Sequence, residues 1–330
     1  MDYTIGIVIP VYNGSLTVGN LVDKLMDILP YRNKRIILVN DGSVDDSHEI
    51  CLKKAGQYPD AVTYLALSKN FGEHNAVMAG LNYVDTDYVV IMDDDFQNPP
   101  EEAEKLINAA IDGGYDVTYS YYKEKRHSFI RNLGSRFNDM VATFLLNKPH
   151  NLYLSSFKCI NRFTVNEVIK YKGPFPYIDG LILRVTKNMG KIMVRHDERW
   201  NSRSNYTLKK LIHLWLNMFV NFSVVPLRIS IVLGFLMAFI GAMMTTYVLV
   251  ERIFYSGPPL GWASLMIALI TFSGIQLFII GLMGEYLGRL FLTENKTPQY
   301  AVRNVFGAIF SKKKNEDNLL KAPFNELVED

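Results

Sequence analysis

From Thr4 to Ser120 the chain alternates between two patterns of apolar residues. Short runs rich in Val and Ile predict strands, and longer stretches whose apolar residues recur every three or four positions predict helices. The predicted strands are residues 5–9, 35–39, 62–66, 88–92 and 116–120, and the predicted helices are residues 16–29, 45–55, 74–81 and 100–110. Strands alternating with helices predict an α/β fold with a Rossmann-like, mainly parallel sheet.

The last third of the chain has a different hydrophobic pattern. Residues 206–222 form a predicted amphipathic helix, which would lie in a membrane interface or pack back on the preceding domain. Residues 229–250 and 259–284 then carry no charge, and each exceeds the roughly 20 residues that span a bilayer. We expect two transmembrane helices, with a buried core hairpin as the alternative.

Basic residues flank the outer ends of this apolar pair. Arg228 precedes the first segment, and Arg289, Lys296 and Arg303 follow the second. Because positive charge is retained on the cytoplasmic side, both ends of the pair should be cytoplasmic.

Overall charge and cysteine content restrict the possible partners. The chain has 330 residues, with 35 basic and 33 acidic side chains and a net charge of +2, so no general attraction to nucleic acid is expected. Its two cysteines, Cys51 and Cys159, form no CxxC pair and suit a reducing compartment.

Several polar clusters follow the predicted strands, at the edge where such sheets bind ligands. The most acidic is Asp93-Asp94-Asp95-Phe96-Gln97. Adjacent carboxylates repel one another unless a cation neutralises them, and oxygen ligands favour Mg²⁺ or Mn²⁺. A solvated acidic turn is the alternative. The chain has no Walker lysine loop and lacks the Thr of an aspartyl-phosphate phosphatase, which disfavours phosphoryl transfer.

These clusters resemble those of inverting GT-A glycosyltransferases of family two, in particular the polyprenyl-phosphate glycosyltransferases. The matching motifs are Val8-Ile9-Pro10-Val11-Tyr12-Asn13, Asn40-Asp41-Gly42-Ser43, Asn70-Phe71-Gly72, Asp93 to Pro100, and Gly284-Glu285-Tyr286-Leu287-Gly288-Arg289. The resemblance extends to about Tyr300. It implies a cytoplasmic GT-A catalytic domain at residues 1–205, a juxtamembrane helix at 206–226, a transmembrane hairpin at 227–284 and a cytoplasmic tail at 285–330.

The resemblance also implies roles for individual residues. It assigns the nucleotide sugar to Pro10, Tyr12, Asn13, Asp41, Asn70, Gly72, Asp93, Asp94, Arg199 and Arg203. It assigns the metal to Asp93, Asp95 and Gln97, and counts Asp93 and Asp95 as catalytic. For Asn13 and Asp41, capping or turn roles are the alternative.

A basic segment is implied to bind the acceptor phosphate. Arg131 and Ser135 lie one helical turn apart, so both can face one phosphate, with Lys123 and Arg126 in the same stretch. Arg131 is counted as catalytic for this reason. A solvated basic face is the alternative.

One departure from the family pattern concerns the catalytic base. Many relatives have Gly-Asp-Phe, with the Asp proposed as base, where this chain has Ser155-Ser156-Phe157. Asp179 is a candidate substitute, and a helix cap is its alternative role.

The sequence therefore predicts transfer of one sugar from a nucleotide sugar, with UDP-sugar favoured, to a polyprenyl phosphate such as undecaprenyl phosphate, at the inner membrane. The resemblance also implies a homo-oligomer, such as a tetramer. The alternatives are a family-two transferase acting on a hydroxyl of a glycan or lipid-linked saccharide, and a catalytically silent membrane scaffold. A processive synthase is disfavoured because two spans cannot readily form a polymer channel.

Overall fold

The computed structural model describes residues 3–29, 33–122, 143, 148–149, 152–197, 225–254 and 261–307. The described residues belong to two compact units, one within 1–205 and 296–330 and the other within 206–295. The first unit contains strands β1 Ile5–Val11, β2 Lys34–Asn40, β3 Val62–Leu67, β4 Tyr88–Ile91, β5 Val117–Tyr121, β6 Lys158–Asn161, β7 Met189–Met193 and β8 Val302–Gly307. It also contains helices α1 Val18–Ile28, α2 Ser47–Gln57, α3 Glu73–Tyr83, α4 Pro100–Gly113, α5 Arg162–Val168 and α6 Ile178–Val185.

The described strands form one eight-stranded sheet in the order β7-β5-β6-β4-β1-β2-β3-β8. Four pairings are parallel: β1 with β2, β1 with β4, β2 with β3, and β5 with β7. The pairings of β4 with β6, β5 with β6 and β3 with β8 are antiparallel. The predicted Rossmann-like α/β sheet is confirmed, and β6 and β8 make it mixed.

The main hydrophobic core lies on one face of this sheet. Apolar residues of β1, including Ile7 and Ile9, pack there with α1, α2 and α4. On the other face α3 approaches the strands closely at Gly80, where an added Cβ would lie 2.4 Å from a methyl group of Val8. The central strands are buried on both faces, so their carboxyl ends and the following loops are the parts free to bind a ligand.

The edge strand β8 was not predicted from the sequence. It lies within the segment 285–330 and pairs with β3, with Tyr64 opposite Phe306. Two further hydrogen bonds hold the residues before it: Ser68 N donates to Ala301 O (2.9 Å), and Gln299 Nε2 donates to Gly173 O (2.8 Å). The chain thus returns to the first sheet after the apolar helices.

The second unit contains α7 Val225–Phe254 and α8 Trp262–Glu294. Within the described chain, one segment, Phe272–Glu294 of α8, is long and apolar enough to cross a membrane, with a mean hydropathy of 1.4. None of its most apolar window is buried. A shorter apolar stretch, Ser230–Met244, lies in α7. The predicted amphipathic helix at 206–222 lies outside the described residues.

Candidate active site

The loops after β1 and β2 are joined through Asn13 and Ser43. Asn13 N donates to Ser43 Oγ (3.0 Å), and Asn13 Oδ1 accepts from Val44 N (3.0 Å). Asn13 has a φ of 55°, a left-handed conformation that Asn tolerates better than most residues. Asn13 therefore fixes the loop after β1 to the loop after β2, which agrees with the turn role given above as its alternative. Its predicted contact with the nucleotide stays a prediction.

Asp41 joins the loop after β2 to the loop after β3. Its two carboxylate oxygens accept from Phe71 N (2.7 Å) and Gly72 N (2.8 Å), and the residue is buried. Burial raises the pKa of Asp41, while the two backbone N–H groups oppose that rise. The carboxylate fixes the start of α3, the position of the predicted Asn70-Phe71-Gly72 motif.

Gly42 allows these two loops to approach each other. Its φ is 66°, and an added Cβ would lie 2.6 Å from both Asn70 N and the carbonyl carbon of Lys69. Around this contact Tyr12 is 47% exposed and Asn70 is also exposed, so both face solvent as a binding surface requires. Pro10 lies within β1 and is partly exposed.

The acidic turn follows β4 directly. Asp95 Oδ1 accepts from Gln97 N (3.1 Å), and Phe96 between them has a φ of 59°. Gln97 O accepts from Asp197 N (2.9 Å), which ties the turn to the segment after β7. Asp94 lies against Gly14, where an added Cβ would be 1.9 Å from Asp94 Oδ2. The strand-end position predicted for this turn is confirmed.

Carboxylates crowd one another in this part of the cleft. The pKa of Asp93 is raised to about 7, chiefly by burial and next by the charge of Glu73, while a hydrogen bond from Ser156 opposes the rise. The pKa of Glu73 is raised as well, mainly by desolvation, with Asp179 and Asp95 adding to it. Sequence analysis missed Glu73, the first residue of α3, because its closeness to Asp93 depends on the packing of α3.

This crowding is the condition that a bound cation would relieve. Among the described residues no group of three or more His, Cys, Asp or Glu side chains is arranged to hold a metal ion. Mg²⁺ is commonly held by one or two carboxylates, with phosphate and water completing the coordination, so the acidic turn fits a metal that binds together with a diphosphate.

Asp179 forms a buried ion pair with Lys158. The Lys158 Nζ donates to Asp179 Oδ1, and the side chains are 3% and 9% exposed respectively. The same oxygen accepts from Tyr119 Oη (3.0 Å). The Asp179 carboxylate is thus held inside the fold by a buried ammonium and a phenol, which favours a structural role for Asp179 over that of a catalytic base. Sequence reasoning missed Lys158 because its partner lies on another element.

Ser156, at the position where the sequence resemblance predicts a catalytic Asp, donates from Oγ to Asp93 Oδ2 (2.8 Å). Ser155 points to a different group, with its Oγ 2.8 Å from Ser120 Oγ and 3.2 Å from Tyr122 Oη. The first serine therefore supports the sheet, and the second contacts the acidic turn.

The remaining predicted site residues, Lys123, Arg126, Arg131, Ser135, Arg199 and Arg203, lie outside the described residues, and their roles stay predictions. A cavity of about 430 Å³ is lined by Phe96, Pro99, Pro100 and Glu101 together with residues of α1, but not by Asp93 or Asp95. We place the candidate active site at the strand ends, where the carboxylates and the ordered loops meet.

Comparison with known proteins gives the family. Residues 6–172 match the family model described as "Glycosyl transferase family 2". The chain belongs to glycosyl transferase family 2. The family-two resemblance is thus confirmed, and the protein is a glycosyltransferase.

Two similar relatives of this glycosyltransferase carry the same description, undecaprenyl-phosphate 4-deoxy-4-formamido-L-arabinose transferase. The protein from Yersinia pestis bv. Antiqua (strain Angola) is 31% identical over 311 residues, covering 92% of this chain and 94% of its own. The protein from Edwardsiella ictaluri (strain 93-146) is 33% identical over 316 residues, with the same coverage.

A solved structure supports the GT-A fold. The glucosyl-3-phosphoglycerate synthase of M. tuberculosis superposes with a TM-score of 0.50 at 17% sequence identity, covering 66% of this chain and 79% of its own. This likeness concerns the fold alone.

Proposed function

We propose that this glycosyltransferase transfers one sugar from a nucleotide sugar to a polyprenyl phosphate, with inversion at the anomeric carbon, for synthesis or modification of cell-envelope glycans. The observation that carries the proposal is the similarity over 92% of the chain to transferases whose descriptions name undecaprenyl phosphate. A UDP-sugar is the donor we favour.

The donor would bind at the ordered strand ends. The loops after β1, β2 and β3 are fixed to one another by Asn13, Ser43 and Asp41, so the nucleotide would meet a preorganised surface. Tyr12 and Asn70 are exposed beside that surface. Asp93, Asp95 and Gln97 would hold Mg²⁺ or Mn²⁺, and the ion would stabilise charge on the departing nucleoside diphosphate.

The chemistry of a phosphate acceptor agrees with the residues beside Asp93. A phosphate monoester has a second pKa of about 6, so near neutral pH its oxygen attacks without first giving up a proton. That oxygen forms the bond to the anomeric carbon while the bond to the donor diphosphate breaks, and the bonding electron pair leaves with the diphosphate. Ser156 is no base, and this reaction requires none. Alignment and screening would come from Arg131 and Ser135, with Lys123 and Arg126.

The decisive experiment compares two lipids with the same chain. The purified full-length protein is incubated with a nucleotide-sugar panel and either undecaprenyl phosphate or undecaprenol, and the lipids are analysed by mass spectrometry. We expect glycosylation of the phosphate only. Glycosylation of the alcohol only would refute the proposal and support the hydroxyl-acceptor alternative, whereas hydrolysis of no donor at all would support the silent scaffold.

A serine variant tests the absence of a base. We expect Ser156→Ala to retain most activity on the phosphate, because it removes one hydrogen bond to Asp93 and no proton acceptor. Arg131→Ala should raise the KM for the lipid phosphate far more than that for the donor. A loss of two or more orders of magnitude with Ser156→Ala would contradict the phosphate mechanism.

We also propose a membrane hairpin in which α7 and α8 each cross the bilayer and residues 1–205 and the tail lie in the cytoplasm. The pairing of β8 with β3 supports this, because a single crossing would separate paired strands by a bilayer. Cys51 and Cys159 are both buried, so a thiol reagent should label a Cys introduced at Phe254 with little labelling of the native cysteines. We expect labelling from the periplasmic side, and labelling from the cytoplasmic side would refute the hairpin. A homo-oligomer stays a prediction, for which light scattering in detergent is the measurement.

A further inference from the structure

Phe306 links β8, the strand that follows the apolar helices, to its neighbour β3 in the eight-stranded sheet. Its ring stacks on that of Tyr64, with centroids 5.7 Å apart and planes inclined by 13°. The two residues are paired across β8 and β3, and both belong to the main hydrophobic core. Tyr64 is fully buried and Phe306 is 6% exposed, so β8 holds the tyrosine ring at one position.

The hydroxyl of Tyr64 in turn holds Asn40, the last residue of β2. Asn40 Nδ2 donates to Tyr64 Oη (3.0 Å), and Asn40 Oδ1 accepts from Ser43 N (2.9 Å). The bond from Ser43 fixes which side of the amide carries the oxygen, so the amide nitrogen must face Tyr64. The Tyr64 hydroxyl also lies 2.6 Å from His48 Nδ1, within hydrogen-bond distance. It therefore has two side-chain partners, Asn40 and His48.

Asn40 supports the loop that joins the strand ends. Ser43, whose backbone it holds, accepts from Asn13 N through its side chain (3.0 Å). Contacts therefore run without a gap from Phe306 through Tyr64, Asn40 and Ser43 to Asn13. Asn13 lies in one of the loops to which the donor is assigned.

We infer that Tyr64 and Phe306 are positioning residues for the nucleotide donor, and that β8 supports the loops that bind this donor. The inference rests on the proposed function, because it assumes that these loops bind the nucleotide. Buried hydrogen-bond networks of this kind fix one arrangement of a loop, and a preorganised loop binds its ligand more tightly. The C-terminal segment therefore contributes to donor affinity as well as to topology.

The test uses three variants of the full-length protein. Tyr64→Phe keeps the stacked ring and removes only the hydroxyl, while Phe306→Ala removes the stacking partner. Val305→Ala is the matched control, because Val305 is equally buried on the same strand but points to the opposite face, beside Leu65. Affinity for UDP, GDP, ADP and dTDP with Mn²⁺ is measured by calorimetry, together with the thermal midpoint and the KM for undecaprenyl phosphate.

For the nucleoside diphosphate that the wild type binds, we expect Tyr64→Phe and Phe306→Ala to raise Kd about tenfold, a change of about 1.4 kcal/mol. Val305→Ala should lower the thermal midpoint and leave Kd unchanged, and the KM for the lipid phosphate should not move in any variant. An unchanged Kd in Tyr64→Phe, or an equal rise in Val305→Ala, would overturn the inference alone. Failure of the wild type to bind any of the four nucleotides would overturn the proposed function and the inference with it.

Discussion

The buried pair of Lys158 and Asp179 can be tested by a double-mutant cycle that also decides whether Asp179 is a catalytic base. Asp179→Asn leaves a buried ammonium without its counter-ion, and Lys158→Met leaves a buried carboxylate. The side chains are only 3% and 9% exposed, so water can compensate for little of this loss. Breaking a buried pair by removing one partner costs about 3–5 kcal/mol, and we expect each single variant to lose that much stability.

The double variant Lys158→Met/Asp179→Asn removes both charges together. Its Asn side chain keeps an oxygen that can accept from Tyr119 Oη, the second partner of Asp179. Because neutral replacements of buried pairs are often no less stable than the pair, we expect the double variant to lie within about 1 kcal/mol of the wild type. The coupling free energy between the two residues is then at least about 5 kcal/mol, above the range of about 0.5–3 kcal/mol that is usual for residues in contact.

Pulse proteolysis of the detergent-solubilised protein gives the four stabilities, and glycosyl transfer to undecaprenyl phosphate gives the activities. If Asp179 has only a structural role, the double variant should regain activity along with stability. A double variant that is as stable as the wild type but slower by about 10²–10⁴-fold would show that Asp179 is a base after all. If the double variant instead lost as much stability as the two single variants together, the two residues would not be coupled, and the ion pair itself would be refuted.

Three further predictions concern the cleft. Asp95→Asn should abolish most of the metal-dependent sugar transfer, because it weakens the metal site. The variant should stay folded, because Asn keeps an oxygen that can accept from Gln97 N. Full turnover of this variant in EDTA would contradict a metal site. Burial lowers the pKa of His74 from 6.5 to about 4, so between these values this residue binds fewer protons in the folded state than in the unfolded state, and its contribution to stability is lost as pH falls. Asp93, whose pKa is raised to about 7, contributes in the opposite direction over the same window. The effect of His74 is therefore the difference between two proteins: as pH falls from 6.5 to 4, the wild type should lose up to about 3 kcal/mol of stability relative to His74→Gln. Gly42→Ala should destabilise the protein by about 1–3 kcal/mol more than Gly114→Ala. Both glycines have positive φ, but of the two only Gly42 has backbone atoms within 4 Å of an added Cβ. Equal thermal midpoints for the two variants would refute the close approach of the loops at Gly42.

The part of the fold that sequence predicts is the part with local signals. β1 to β5 and α1 to α4 are each a run of residues long enough to show its own period, and their ends carry the turn residues that identify the binding edge. β6 has four residues and pairs with β4 and β5, far away in sequence. β8 has six residues, including a charged and an amide side chain, and its partner β3 is more than 200 residues away. Nothing local distinguishes such strands from loops.

The same distinction separates the site residues that were found from those that were missed. The acidic turn is contiguous, so its composition alone indicates a cation site. Glu73 and Lys158 come close to Asp93 only after α3 and β6 have packed on the sheet, and neither has a neighbouring residue that signals its role. For Asp41 the sequence predicted either nucleotide binding or a capping or turn role. In the structure its carboxylate accepts hydrogen bonds from two backbone N–H groups, those of Phe71 and Gly72.

Ser156 connects the charge of the cleft with the choice of acceptor. Its hydroxyl donates to Asp93 and so favours the ionised form of a carboxyl group whose pKa burial and Glu73 have already raised. A carboxylate at this position would place a further negative charge beside Asp93. A hydroxyl acceptor needs that carboxylate as a base, whereas a phosphate dianion brings its own negative charge and would be repelled by it. Replacing the base by a neutral hydrogen-bond donor lowers the repulsion that an incoming phosphate meets, which favours a phosphate over a hydroxyl as the acceptor.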